Sequence, residues 1–304
     1  MYPDHCQVIE PAFKKLILPN AYLETLWTGA RWAEGPAYFA AGRYLVFSDI
    51  PNNRMMRYDE TDGSMSVFRQ PSNNSNGNTR DREGRLVTCE HLGRRVSRTE
   101  HDGTITVLAD RHDGKRLNSP NDVVVDPGGA IWFTDPTYGI DLDYEGNRAE
   151  SEIGASHVYR IDPHSGAIEA VATDFVKPNG LAFSPDYSVL YVADTGATHV
   201  EDGPRHIRRF SVDGTRLSGG EVFAECDDGL FDGFRLDTHG NIWSSARDGV
   251  HCITPDGQLI GKILIPETVA NVCFGTEKRI RLYICGTSSL YATYLNTQGV
   301  AYAG

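Results

Sequence analysis

Ala130-Ile-Trp-Phe-Thr-Asp135 decides how this chain is read. It is a short apolar and aromatic run that ends on an acid, and it recurs. Toward the N-terminus it returns as Arg85-Leu-Val-Thr-Cys-Glu90 and Tyr44-Leu-Val-Phe-Ser-Asp49. Toward the C-terminus it returns as Val189-Leu-Tyr-Val-Ala-Asp194, Asn241-Ile-Trp-Ser-Ser-Ala246 and Arg281-Leu-Tyr-Ile-Cys-Gly286. Runs rich in β-branched and aromatic residues, bounded by turn residues, read as strands. Their starts lie 41, 45, 59, 52 and 40 residues apart. That is the period of a four-stranded propeller blade, with insertions in the middle of the chain.

The flanks repeat as well. A second short strand follows most of these runs, as in Arg54-Met-Met-Arg-Tyr58 and His157-Val-Tyr-Arg-Ile161. A tight turn comes next: Asp62-Gly63, Asp102-Gly103, Ser165-Gly166, Asp213-Gly214 or Asp256-Gly257. Such pairs tolerate the positive φ that a two-residue hairpin needs. A fourth strand then follows, as in Thr104-Ile-Thr-Val-Leu108. Each unit thus reads as antiparallel strands A to D, and the expected fold is an all-β, six-bladed propeller spanning 1–304 as one domain. The sixth unit has too little chain after Tyr294 for a fourth strand. A segment within Phe13 to Leu26 is expected to supply it and close the ring, hiding the sheet edges.

Composition fits this picture and excludes others. The formal net charge of −12 disfavours nucleic acid and anionic membranes, which need basic patches. No apolar run approaches the ~18 residues of a membrane span. The cysteines Cys6, Cys89, Cys226, Cys252, Cys273 and Cys285 form no CxxC pair, and read as small hydrophobes in a reducing compartment. A cytoplasmic location is expected, or a periplasmic one if a signal segment has been removed. Monomer and homodimer are both open.

In a propeller the A strands line a central channel. The residue that begins each, nine or ten positions before most B strands, is in order Glu34, Asn78, Asn121, Asn179, Asp232 and Asn271. All carry a side-chain oxygen, where small apolar residues would be the ordinary filling. Glu34, Asn179 and Asp232 are each followed by glycine, which allows close backbone approach to an occupant. Hard oxygens without His or Cys suit Ca²⁺, then Mg²⁺ or Mn²⁺, and argue against structural zinc. Glu34 and Asp232 match one divalent cation in charge, and Asn121 and Asn179 add neutral oxygens. Asn78, seven positions before its B strand, aligns more loosely, and both Asn78 and Asn271 read better as hydrogen-bonding links between channel strands.

Topology puts the start of strand A and the B-to-C connections on one face. The two long B-to-C insertions, Pro136 to Ser156 and Thr195 to Arg205, should therefore cover the hub. His91, Tyr138 and Arg247, each following a B strand, are candidate substrate contacts. No Gly-x-Ser-x-Gly elbow, phosphate-binding loop or His-Glu-x-x-His motif is present. Metal-assisted chemistry in the channel is what remains.

The segments Glu34-Gly-Pro, Ser119-Pro-Asn-Asp122, Pro178-Asn-Gly-Leu181 and Asp232-Gly-Phe234 resemble the gluconolactonase/regucalcin (senescence marker protein) family. Phe47-Ser-Asp-Ile-Pro51, Arg116-Leu-Asn-Ser-Pro-Asn-Asp122 and Phe133-Thr-Asp-Pro136 resemble its bacterial gluconolactonase branch. The resemblance runs from about Leu16 to Leu295. It implies a metal-dependent hydrolase of carbohydrate metabolism that opens aldonolactones such as gluconolactone to the free acid. It implies one divalent cation, Ca²⁺ first and Zn²⁺, Mn²⁺ or Mg²⁺ as alternatives, bound by Glu34, Asn179 and Asp232, with Asn121 on metal or substrate. It implies Asp232 as the general base, although a carboxylate on a cation is a weak one. Ser119 stands where animal members carry a substrate-holding Arg, which shifts the expected substrate contacts to Asn118 or His91. The rival readings are an organophosphate hydrolase of the diisopropyl-fluorophosphatase/paraoxonase kind, whose members share such a ring, and a non-catalytic calcium-binding propeller.

Overall fold

The computed structural model describes residues 2–301 and carries six antiparallel sheets around one axis. Their inner strands are Ala33–Phe39, Ser75–Arg80, Val123–Val125, Pro178–Phe183, Phe234–Leu236 and Val269–Gly275. In each blade the sequence repeat is strand B, paired between strands A and C.

The ring closes close to where expected. Strand Glu24–Thr28 pairs with Ser289–Tyr294, Glu24 facing Ala292, and completes the sixth blade. It begins later than Phe13. Phe13 lies instead in a 3₁₀ turn, Pro11–Lys15, with its ring buried 5.9 Å from that of Trp243. An unforeseen addition is Cys6–Val8, a fifth strand on the edge of the fifth blade. Three residues are too few to show a period.

The core is six clusters, each drawn chiefly from two neighbouring blades. Trp132 of blade three meets Phe183 of blade four edge-on at 5.6 Å, and Trp243 meets Phe274 across the next-but-one seam at 6.3 Å. Truncating either tryptophan should cost about 3–5 kcal/mol, because close-packed seams collapse only partly. Two other features of the repeat are local. Asp81, Asp126 and Asp237 in the A–B turns each accept the backbone N–H four residues on, at 2.8, 2.9 and 3.0 Å. The acids that end strand B tie down the loop leading to strand A. Asp135 accepts from the backbone N–H groups of Asn118 and Ser119, and Asp194 from those of Val176 and Lys177. All six cysteines are free, and Cys89, Cys226, Cys252 and Cys285 are buried. Among the described residues no helix is long and apolar enough to cross a membrane.

Candidate metal centre and active site

The ring at the hub is built from one local device used several times. Glu34 is followed by Gly35, Asn76 by Gly77, Asn179 by Gly180 and Asp232 by Gly233. A Cβ on Gly35 would strike the carbonyl of Asn76, and one on Gly180 would strike that of Asp232. Gly77 donates its N–H to Asn121 O at 2.7 Å, Gly180 to Asp232 O at 3.0 Å, and Gly233 to Ala270 O at 2.8 Å. Blades two, four and five thus rest their backbone against the hub segment of the next blade. Register shifts between Glu34 and Ala37, Ser75 and Asn78, and Pro178 and Leu181 interrupt the inner ladders here. Such bulges re-aim side chains, in this case toward the axis.

Glu34, Asn76, Asn121, Asn179 and Asp232 line one cavity of about 480 Å³. Burial, then the charge of Asp122, pushes the Glu34 carboxyl up to about 8. Burial, then the charge of Glu34, raises Asp232 well above the ordinary carboxylate range, and a hydrogen bond from the Asn179 amide works the other way. Arg235, whose charge acts on Glu34, stands 3.5 Å from Asp122. Two enclosed carboxylates are therefore held side by side with no salt bridge of their own among the described residues, an arrangement that costs energy unless a cation joins it.

The amide donors divide into two kinds. The Asn179 amide N–H groups bond Thr195 Oγ1, at 3.2 Å, and Asp232, and its carbonyl oxygen has no protein partner among the described residues. The Asn121 amide has no protein partner among the described residues. Asn78 is spent: its Nδ2 donates to Gly35 O, Ser48 Oγ and Asn76 O at 2.8–3.0 Å, and its Oδ1 accepts from Thr88. Asn271 donates to Glu34 Oε2 at 3.0 Å and accepts from Val272 N–H at 2.8 Å. Among the described residues, His, Cys, Asp and Glu form no cluster of three or more suited to a metal. A hub cation would thus be held by two carboxylates completed by Asn121 and Asn179. That all-oxygen set, with charge −2 and free carbonyls, fits a hard divalent ion.

The two insertions cover this cavity and are latched together. Tyr138, on the short helix Tyr138–Asp141, bonds Thr195 Oγ1 at 2.7 Å and Thr198 Oγ1 at 3.0 Å. Lys177 lies 4.6 Å over the Tyr138 ring and bonds Thr137 and Asp141. Leu142 and Tyr144, both exposed, give the mouth an apolar rim. The far end of the channel differs: it is a cavity of about 190 Å³ lined by Arg80, Arg235 and Arg279.

Of the expected substrate contacts, the structure brings Asn121, Tyr138 and Arg247 to the cavity. Arg247 stands at the rim, 70% exposed and paired with Asp228. Asn118 does not line it. Its Nδ2 donates to Asp135 O and Ala155 O, and its Oδ1 accepts from Ser151 Oγ, so it clamps the base of the first insertion. Ser119 Oγ anchors the same insertion through Pro136 O and Gly139 N–H. His91 is fully buried behind the wall, bonded to Asn76 at 3.1 Å. Among the lining residues that went unread in the sequence are Trp32, Asn76 and Glu145. Asn76-Gly77 repeats the Glu34-Gly35 pattern and was findable two positions from Asn78. Glu145 sits in an insertion without period and left no signal.

Residues 32–288 match the sequence model of a family described as SMP-30/Gluconolactonase/LRE-like region. A gluconolactonase of Zymomonas mobilis is 30% identical over 315 residues, covering 95% of this chain and 85% of the relative. A pentonolactonase of Haloferax volcanii is 29% identical over 269 residues, covering 84% of this chain and 82% of the relative. A solved gluconolactonase structure from Xanthomonas campestris superposes with a TM-score of 0.89 at 39% identity, covering 97% of this chain and 96% of that one.

Proposed function

Because the chain belongs to the SMP-30/gluconolactonase/LRE-like family and is a lactonase, we propose that it opens aldonolactones such as gluconolactone to the free acid, using one divalent cation, Ca²⁺ first, held at the hub by Glu34, Asn121, Asn179 and Asp232. The observation that carries this reading is the pair of enclosed carboxylates that form no salt bridge among the described residues, beside the Asn121 and Asn179 amides in one cavity. When bound, the cation supplies positive charge that favours ionised Glu34 and Asp232 and polarises the lactone carbonyl.

The residues of the chain do the rest. Asp232, held by the hydrogen bond its backbone N–H donates to Ser245 Oγ at 2.9 Å, faces the cavity and accepts a proton from the attacking water. Asn121, whose amide N–H groups are uncommitted among the described residues, orients the carbonyl end of the substrate. Tyr138, fixed by its threonine latch, and Arg247 at the rim meet the sugar hydroxyls. The aromatic and aliphatic walls around Trp32 and Val269 exclude bulk water from the reacting carbonyl.

The test is acid release from a set of aldonolactones, with an organophosphate in the same panel. It is run with chelator and then with Ca²⁺, Zn²⁺, Mn²⁺ or Mg²⁺ restored. Turnover of aldonolactones that chelation stops and Ca²⁺ best restores is the expected result. Turnover indifferent to chelation would remove the cation from the reading, and organophosphate turnover alone would replace the substrate class.

A further inference from the structure

We propose that Glu145 is a second catalytic residue of this site, donating a proton to the ring oxygen as the lactone opens; this rests on the lactonase reading above. Glu145 lies in the 136–155 insertion, and its side chain, a quarter exposed, lines the same cavity as Asp232. It is backed by a built support. His91, fully buried, packs behind it, with Nδ1 3.9 Å from Glu145 Oε2, a packing distance and not a hydrogen bond. On its other side His91 Nε2 stands 3.1 Å from the Asn76 amide nitrogen. Gly139 packs so closely on the His91 ring that a Cβ there would strike it, which holds the insertion and its acid against the imidazole.

The electrostatics agree with the geometry. Burial pushes Glu145 up to about 7 and His91 down to about 4. At neutral pH His91 is neutral, and Glu145 carries its proton in a large share of molecules. The titratable groups facing it are neutral His91 behind, and Asp232, Glu34 and His199 on the same cavity wall; Glu145 opposes the ionisation of Asp232. Other charges on the cavity wall are committed elsewhere, Asp141 to Lys177 and Arg247 to Asp228.

The step balances. Water gives a proton to Asp232 as its oxygen bonds the carbonyl carbon. The bond from that carbon to the ring oxygen then breaks, its electron pair going to the ring oxygen. That oxygen takes the Glu145 proton and becomes a hydroxyl of the product acid. Asp232 loses its proton to solvent and Glu145 regains one, so the net change is one water consumed. An alkoxide leaving group needs this donor, whereas a phenolate leaves without one.

The experiment compares wild type and Glu145→Gln on gluconolactone and on dihydrocoumarin, whose leaving group is a phenolate. Spontaneous hydrolysis is subtracted, and melting temperature is recorded for both proteins. For gluconolactone, kcat should fall about 100-fold with KM little changed. On dihydrocoumarin the loss should stay under about 3-fold, since little proton donation is required. Wild-type kcat for gluconolactone should decline as pH rises through about 7, where the donor is lost, and the variant should lack that limb. Equal loss on both substrates, or no loss on gluconolactone with the alkaline limb intact, would overturn the assignment while leaving the lactonase reading in place. A wild-type enzyme inert toward both lactones would bring down that reading and this inference with it.

Discussion

Asn78 and Asn179 sit on equivalent inner strands, two blades apart, and do different things. Asn78 uses both ends of its amide within the protein, bonding Gly35, Ser48, Asn76 and Thr88. Asn179 spends its N–H groups on Thr195 and Asp232 and leaves its oxygen without a protein partner among the described residues of the cavity wall. The first is a seam between blades one and two, and the second is a ligand in waiting. The residue type is the same, and what differs is whether the surrounding strands offer partners for every lone pair and hydrogen. A hub position becomes functional where the fold declines to satisfy it.

The largest blow to this contrast should come from Asp232, the acid on the unsatisfied side. Asp232→Asn keeps the shape and removes the base, and kcat on gluconolactone should drop about 1000-fold or more. Near-normal turnover in that variant would take Asp232 out of the role. Next is the pair itself. Asn179→Ala should weaken cation affinity, read by calorimetric titration, by about 10–100-fold while the melting temperature moves little. Asn78→Ala should do the opposite, because it strands several buried polar groups. A loss of about 3 kcal/mol in denaturant stability is expected, with cation affinity retained in the folded fraction. If both variants lost the cation and neither lost stability, the two asparagines would not be distinct. The smallest effect should be at Arg247, which is mostly exposed and already paired with Asp228. Arg247→Ala should change kcat/KM by less than about 3-fold, since a rim ion pair contributes little. A larger change would extend the functional side of the comparison out to the mouth.

Much of this was legible in the chain. The strand-B repeat announced six blades because a recurring apolar run and its flanking turn chemistry are local properties. Glu34, Asn121, Asn179 and Asp232 could be picked out because polar residues at channel positions break an apolar expectation. The second blade was misjudged by two residues. Asn76 and Asn78 both precede the B strand, and the irregular register between Ser75 and Asn78 turns Asn76 to the cavity. Asn118 and His91 looked like substrate contacts because they flank the hub in sequence. Asn118 instead finds carbonyl partners across the insertion, and His91 is enclosed behind Asn76. Glu145 was invisible, as its position depends on where an aperiodic loop comes to rest.

By itself the chain determined the blade number, the closure by an N-terminal strand and the chemical kind of atom that rings the axis, because each follows from patterns a few residues long. Which of those atoms stay unsatisfied, and which acid swings in over them, was decided only by the tertiary structure. The reason is that hydrogen-bond satisfaction and desolvation depend on neighbours tens of residues away, and no local pattern records them.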